Sequence, residues 1–252
     1  MEKTQNRQQT VYGLRPVLEA LGSGSQIERV LIQTGLNSPL MGELRARMKE
    51  NGVPFQYVPA EKLNKMVPPE ANHQGVVATI GAIRYKAFVD ILEAPENQEK
   101  AALYVLLDHI TDVRNMGAIA RTAECAGVSA LVVPDHGSAA MNSDAVKTSS
   151  GALLRLPVCR EQNLKTVVNL AKQYGIQVVA STEKGTVHYR DVDFRQPTLL
   201  IMGNEETGIS PDLLKLCDVR ASLPMVGSVA SLNVSVAAGV MLYEALEQRS
   251  RG

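Results

Sequence analysis

The spacing of apolar and polar positions divides this chain into two regions. From Val11 to Leu21, residues Val11, Leu14, Val17, Leu18 and Leu21 fall on one side of a 3.6-residue repeat and predict a helix. Arg29 to Gln33 reads as a short strand. Pro39 to Asn51 reads as a helix, with proline near its start and Gly52 just past its end. Val53–Val58 and Gly75–Ile80 read as further strands. This alternating unit spans residues 1–85, long enough to fold by itself. A polar stretch with a proline, Glu93 to Lys100, then marks 86–100 as a linker. Beyond it, in 101–252, compact apolar runs alternate with amphipathic segments. Leu103–Leu107, Ala130–Val133, Gln177–Ala180 and Thr198–Met202 read as strands buried on both faces of a parallel sheet. Asn115–Ala126, Leu164–Tyr174, Pro211–Leu216 and Leu232–Gln248 read as helices. The expected class is α/β.

Composition narrows the picture only slightly. Apolar residues make up 45% and charged residues 21% of the chain, an ordinary globular balance that excludes disorder over most of the length. Aromatics stand at 4% with no tryptophan, so a binding surface built on several stacking rings is not evident. Net charge is zero, which argues against a purely electrostatic nucleic-acid binder. Residues 1–85 nevertheless hold ten Lys/Arg against seven Asp/Glu, and that bias also suits an ordinary solvated surface. Cys125, Cys159 and Cys217 are odd in number and have no metal spacing, as expected in a reducing cytoplasm. The polar start, Met1 to Thr10, is no secretory signal, and the apolar run from Val234 to Leu246 is too short to span a bilayer. A cytoplasmic protein without a membrane partner is expected.

Three segments of the second region carry candidate chemistry, each at a strand end, where open α/β sheets form their ligand crevice. In the first, Leu107 to Ala123, a buried strand runs through a polar turn into a helix. Asn115 is a natural N-cap there and Gly117 permits close packing. Arg121 either pairs with Glu124 on the surface or clamps a phosphate or carboxylate with its forked guanidinium. In the second, Leu200 to Pro211, Gly203 lets backbone approach a ligand, while Glu205 and Glu206 would repel a phosphate. Ser210 is placed to cap the helix that starts at Pro211. In the third, Leu223 to Gly239, Pro224 and Gly227 hold an irregular loop, and Ser231 or Asn233 caps a closely packed C-terminal helix.

Several common sites are missing. No G-x-G-x-x-G follows the first strand of the larger region, and Gly22-Ser23-Gly24 follows a helix and lacks the third glycine. There is no G-x-x-x-x-G-K-[ST] and no G-x-S-x-G. His73, His109, His136 and His188 show no metal spacing and read as structural, so no metal is expected.

Taken together, the three segments resemble the motifs of the SpoU (TrmH-type) RNA 2'-O-methyltransferases of the SPOUT superfamily. Asn115, Gly117, Arg121, Thr122 and Ala123 match N-x-G-x-x-x-R-T-A. Gly203, Glu205 and Gly208 match G-x-E-x-x-G, and Pro224 to Ala237 matches P-M-x-G-x-x-x-S-L-N-V-S-V-A without a gap. At the other end, Val11-Tyr12-Gly13-Leu14-Arg15-Pro16-Val17 and His73-Gln74-Gly75-Val76 resemble the L30e-like RNA-binding domain of the branch that methylates 23S ribosomal RNA guanosines.

The resemblance implies what composition does not. It implies a catalytic parallel-sheet domain tied in a trefoil knot and a small L30e-like substrate-binding domain. It implies S-adenosyl-L-methionine as cofactor, held by Gly203, Leu223, Met225 and Leu232, and a catalytic cluster of Asn115, Arg121, Glu205, Ser231 and Asn233. It also implies a homodimer acting on RNA, ribosomal RNA first, and not on DNA. Family mechanisms favour Arg121 for activating the ribose hydroxyl, across the dimer. Arginine side chains normally stay protonated, so a phosphate clamp is the firmer chemical role. Two alternatives stand beside a ribosomal RNA guanosine 2'-O-methyltransferase: a transfer RNA 2'-O-methyltransferase, and a catalytically silent RNA-binding ribosome-assembly factor.

Overall fold

The computed structural model describes residues 10–22, 27–81, 83–98, 101–228 and 230–251. The polar start before Thr10, the Ser23-Gly24 pair and the Glu99-Lys100 end of the expected linker lie outside the described residues. The described chain forms two compact units. One runs up to Ile83 and includes Met141–Ser143; the other comprises Arg84–Ala140 and the chain from Asp144 onward.

In the smaller unit, β1 (Thr10–Tyr12), α1 (Leu14–Gly22), β2 (Ile27–Gln33), α2 (Pro39–Glu50), β3 (Phe55–Val58), α3 (Ala60–Asn64) and β4 (Val76–Ile80) follow in order. The sheet order is β1-β4-β2-β3, with only the β2–β3 pair parallel. Ser38 caps α2 by accepting from Met41 N at 3.2 Å, with Pro39 in the first turn. The α1 and α2 side buries Val17, Leu21, Val30, Ile32, Met41, Leu44 and Met48; the opposite face buries Leu31, Val58, Leu63 and Val77. A fully buried side chain of this kind contributes roughly 1.5–3 kcal/mol, so this unit is built around a real core. Val11, read as helical, belongs to β1, because Gly13 (φ +95°) breaks the chain before α1. The two N-terminal segments that carried the family resemblance meet here. Gly13 N donates to Val76 O at 3.0 Å, Leu14 N donates to Gln74 Oε1 at 3.2 Å, and Tyr12 is in register with Val77.

The larger unit continues with β5 (Tyr85–Lys86), α4 (Phe88–Glu93), α5 (Pro95–Gln98), β6 (Leu103–Asp108), α6 (Val113–Cys125), β7 (Ala130–Pro134), α7 (Ser143–Thr148), β8 (Val158–Glu161), α8 (Leu164–Gln173), β9 (Gln177–Ser181), β10 (Val187–His188), β11 (Thr198–Gly203), α9 (Pro211–Leu216), β12 (Val219–Ser222) and α10 (Val234–Ser250). The sheet order is β10-β12-β9-β11-β6-β7-β8-β5, and every pairing is parallel. The central strands β6 and β7 are buried at every position, in keeping with their unbroken apolar runs. From β6 the chain moves outward through β7 to β8, then crosses to β9 on the other side; β11 later fills the gap between β6 and β9. The direction of winding therefore reverses around β11.

The segment 86–100 is not a linker over its described part. Tyr85 and Lys86 pair with Val158 and Cys159 on β8, and Phe88, Ile91 and Leu92 are buried in the core of the larger unit. The Phe88 ring packs edge-on against Tyr104, with centroids 5.4 Å apart, and Phe88 N donates to Glu161 Oε1 at 2.8 Å. The polar run after Glu93 masked the short apolar spacing before it. Among the described residues, no helix is long and apolar enough to cross a membrane.

Candidate active site

The carboxyl end of β6 starts the site. Asp108, only 2% exposed, accepts from Ser210 N at 2.7 Å and lies 2.6 Å from His109 Nδ1. A buried carboxylate is tolerated only when such partners replace its water. The Ser210 contact fastens the end of β6 to the loop that follows β11. His109 adopts a left-handed backbone (φ +59°), its carbonyl accepts from Asn204 Nδ2 at 2.8 Å, and its ring lies where a side chain on Gly137 would stand. These contacts give His109 a part in holding the end of β6 against the loop after β11.

The helix after β6 is capped differently from expectation. Asp112, not Asn115, is the N-cap of α6, accepting from Arg114 N at 2.7 Å and Asn115 N at 2.9 Å. Asn115 sits inside the first turn, and its side chain is free to work outward. Gly117 is required by packing: a Cβ there would lie 2.6 Å from Thr148 Cβ and 3.0 Å from Ser149 N.

The loop after β11 folds back on itself. Asn204 and Gly208 exchange backbone hydrogen bonds of 3.1 and 2.9 Å, and Asn204 Oδ1 gathers Glu206 N and Thr207 N. This closes the turn over Gly203, where a Cβ would stand 2.3 Å from Gly208 C and Ile209 N. No other residue fits there. Ser210 occupies the N-cap position of α9 without a side-chain hydrogen bond to the helix.

Asn233 is the N-cap of α10. Its Oδ1 accepts from Ser235 N at 3.0 Å and from Ser235 Oγ at 2.6 Å. Its Nδ2 donates to Asn115 Oδ1 at 3.0 Å, and Asn115 Nδ2 donates to Glu205 Oε1 at 2.5 Å. Side chains from all three segments thus join a directed relay, Ser235 to Asn233 to Asn115 to Glu205. The donors all point toward the carboxylate, the one ionisable member, which is the arrangement that strengthens each bond in turn.

Glu205 also borders a cavity of about 270 Å³ at the carboxyl ends of β9, β11 and β12. Gly203, Leu223, Met225 and Leu232, the four residues expected to hold a cofactor, all line it, and so does Ser231. Sequence reasoning missed the β9 wall, Ser181 to Lys184, and also Met202 and Ile209. The available signal was the place of β9 as a buried strand whose end must face the same crevice. Three carboxylates, Glu183, Glu205 and Glu206, face one lysine, Lys184, around the cavity, while Met202, Ile209, Leu223 and Leu232 supply apolar contact. That lining suits a ligand with a flat apolar part and a positive charge, and disfavours a polyphosphate.

Arg121 stands apart. It is exposed on α6 and makes no hydrogen bond or ion pair with any described residue. Its expected surface partner, Glu124, instead lies 3.7 Å from Arg155 Nε. Arg121 lies six positions after Asn115, which turns the two side chains to different sides of the helix. Within one chain, then, Asn115, Glu205 and Asn233 come together, Ser231 joins the cavity wall, and Arg121 does not join them.

Comparison with known proteins bears on both units. Residues 102–243 match the model of the SpoU rRNA Methylase family, which is more than half of the chain. The chain belongs to the SpoU family. Residues 10–86 match a second model, RNA 2'-O ribose methyltransferase substrate binding. A Staphylococcus haemolyticus protein named for the TrmH family of tRNA/rRNA methyltransferases is 34% identical over 239 residues, 95% of each chain. Among solved structures, the rRNA methyltransferase of Sinorhizobium meliloti with bound AdoMet (S-adenosylmethionine) is 27% identical. The match has a TM-score of 0.61 and covers 96% of this chain and 88% of that one. A TrmH/SpoU tRNA modifying enzyme of A. aeolicus is 33% identical at a TM-score of 0.56, but covers 64% of this chain and 80% of its own. The SpoU relationship thus extends over both units, and it carries the α/β parallel-sheet fold with it.

Proposed function

We propose that this SpoU family protein methylates a ribose 2'-hydroxyl of ribosomal RNA, with a guanosine of 23S RNA as the target. The observation that carries the reading is the relay of Asn233, Asn115 and Glu205 on the rim of a cavity lined by Gly203, Leu223, Met225 and Leu232. Bound S-adenosylmethionine supplies an electrophilic methyl group on a sulfonium. Leu223, Leu232 and Ile209 would take its apolar part, Gly203 would admit close backbone contact, and the carboxylates of Glu205, Glu206 and Glu183 would balance its positive charge. Asn115 and Asn233 hold Glu205 at one angle, so that the incoming hydroxyl meets a fixed acceptor rather than a mobile one.

Arg121 enters this reading through a second copy of the chain. Val236, Val240 and Tyr243 are exposed along one side of α10, with Leu246 beside them. Such an apolar stripe is unusual on a monomer; in this reading a homodimer covers it, and Arg121 reaches the partner's site from α6, which packs on α10. There its guanidinium clamps a phosphate next to the target ribose. The trefoil knot implied by the family resemblance is part of the same proposal. Its support is that the segment after β12 returns to the ends of β9 and β11 before α10 begins.

Ribosomal RNA is favoured over transfer RNA because the rRNA methyltransferase structure matches 96% of this chain, whereas the tRNA modifying enzyme matches 64%. The test is to offer labelled S-adenosylmethionine with unmodified ribosomal RNA and unmodified transfer RNA in parallel. Label in 23S RNA at a guanosine is the expected result. Label in transfer RNA alone would overturn the substrate assignment and leave the methyl-transfer chemistry standing.

A further inference from the structure

The smaller unit carries an aromatic feature that its scarcity of rings made unexpected. The chain has seven tyrosines, three phenylalanines and no tryptophan, yet Phe55 and Tyr57 are 42% and 44% exposed on the same strand. They lie on β3, the edge strand of the four-stranded sheet, in register with Val30 and Ile32 of β2. Val30 and Ile32 are buried under α1 and α2, but at the edge that cover gives out and the rings meet solvent. The two rings stand edge to face, with centroids 5.8 Å apart and planes at 90°. The Arg45 guanidinium sits 5.9 Å from the Tyr57 centroid, reaches Leu36 O at 3.5 Å, and keeps its Nε without a protein partner among the described residues. Lys49 follows one turn later on the same face of α2.

We propose that the Phe55–Tyr57 edge of β3, flanked by Arg45 and Lys49, is a stacking corner for an unpaired base of the RNA substrate. The proposal rests on the RNA reading above and adds the recognition device. Perpendicular rings give a base one face to stack on and a second ring as a side wall, so the corner holds one splayed-out nucleotide. Duplex RNA keeps its bases stacked on each other and offers no free face; loops, bulges and ends do. The two cations place positive charge where the phosphate of a stacked nucleotide would run, and they give a nucleic acid the advantage over an apolar protein partner at this edge.

The absence of tryptophan provides the test. In the full chain, Tyr57→Trp creates a single reporter in the corner. Titration with a short single-stranded RNA oligomer should quench its emission, and the same strand annealed into a duplex should not. Phe55→Ala/Tyr57→Ala should weaken single-strand binding by roughly tenfold or more, and Phe55→Trp/Tyr57→Trp should restore it. Circular dichroism should show the variants folded, and calorimetry should show S-adenosylmethionine binding unchanged. Full RNA affinity in the double alanine variant, or equal quenching by duplex, would overturn the stacking corner alone. Self-association lost in that variant with RNA affinity intact would assign the edge to a second copy instead. A wild-type chain that binds no RNA would overturn the wider reading as well.

Discussion

Replacing Asn233 separates the two roles that the structure gives it, helix cap and member of the relay. Asn233→Ala removes the acceptor of Ser235 N and the donor to Asn115 Oδ1 together. Loss of an N-cap costs about 1 kcal/mol, and loss of one intramolecular hydrogen bond about 1 kcal/mol more. At roughly 2–4 °C per kcal/mol for a chain of this size, the midpoint should fall by about 4–8 °C. Asn233→Asp keeps the cap, because a carboxylate accepts from Ser235 N equally well and favours a helix N-terminus. It has no hydrogen to give Asn115. If Asn115 turns its amide over to donate to the new carboxylate, its oxygen then faces Glu205, so one link of the relay is broken either way. Asn233→Asp should therefore melt within about 1 kcal/mol of the parent yet transfer methyl groups about a hundredfold more slowly, the usual cost of misplacing a reacting group by about an ångström. Thermal unfolding followed by circular dichroism, beside turnover on unmodified ribosomal RNA, reads both effects. Parental turnover in Asn233→Asp would remove the relay from the chemistry, and equal melting losses in the two variants would remove the capping role.

Three further outcomes follow from the same geometry. Arg121→Ala should abolish transfer, yet leave S-adenosylmethionine affinity and melting near parental values, because Arg121 makes no hydrogen bond or ion pair with any described residue; near-normal turnover would contradict its role. Gly203→Ala should abolish cofactor binding by calorimetry, since the new Cβ stands 2.3 Å from the backbone of Gly208 and Ile209, and retained affinity would mean the loop after β11 is not the cofactor wall. Among the thiols, exposed Cys125 should react with Ellman's reagent in the native state while Cys159 stays inert as the pH is raised to about 9. Burial, aided by the charge of Glu161, pushes the Cys159 thiol up to about 12, so its thiolate appears only well above that pH.

Much of the larger unit was legible because buried parallel strands are unbroken apolar runs, and β6, β7, β9 and β11 stand within a residue or two of the segments read as strands. The strands that escaped are short or amphipathic. In β8 only Val158 and Cys159 are buried, and in β12 only Ala221, so neither shows a period. The segment 86–100 misled for a related reason: three core residues precede a polar run that dominates the composition. Local capping logic named Asn115 as the cap of α6. The cap is Asp112, three positions earlier, and Asn115 belongs to the relay instead. Residue pattern alone gave three separate segments, and only the family resemblance implied that they cluster. Asn115 and Asn233 lie 118 positions apart, and only the sheet order, with β11 inserted between β6 and β9, brings their loops to one rim. The exposed Phe55–Tyr57 corner was invisible to composition, because scarcity says nothing about where the few rings are placed.

In the proposed reaction the methyl group goes to a ribose oxygen. The direct measurement is alkaline hydrolysis of unmodified 23S RNA after incubation with the protein and labelled S-adenosylmethionine. A methylated 2'-hydroxyl cannot attack its own phosphodiester, so label is expected in an alkali-resistant dinucleotide with guanosine on its 5' side. Label released in a mononucleotide would place the methyl on a base and contradict it.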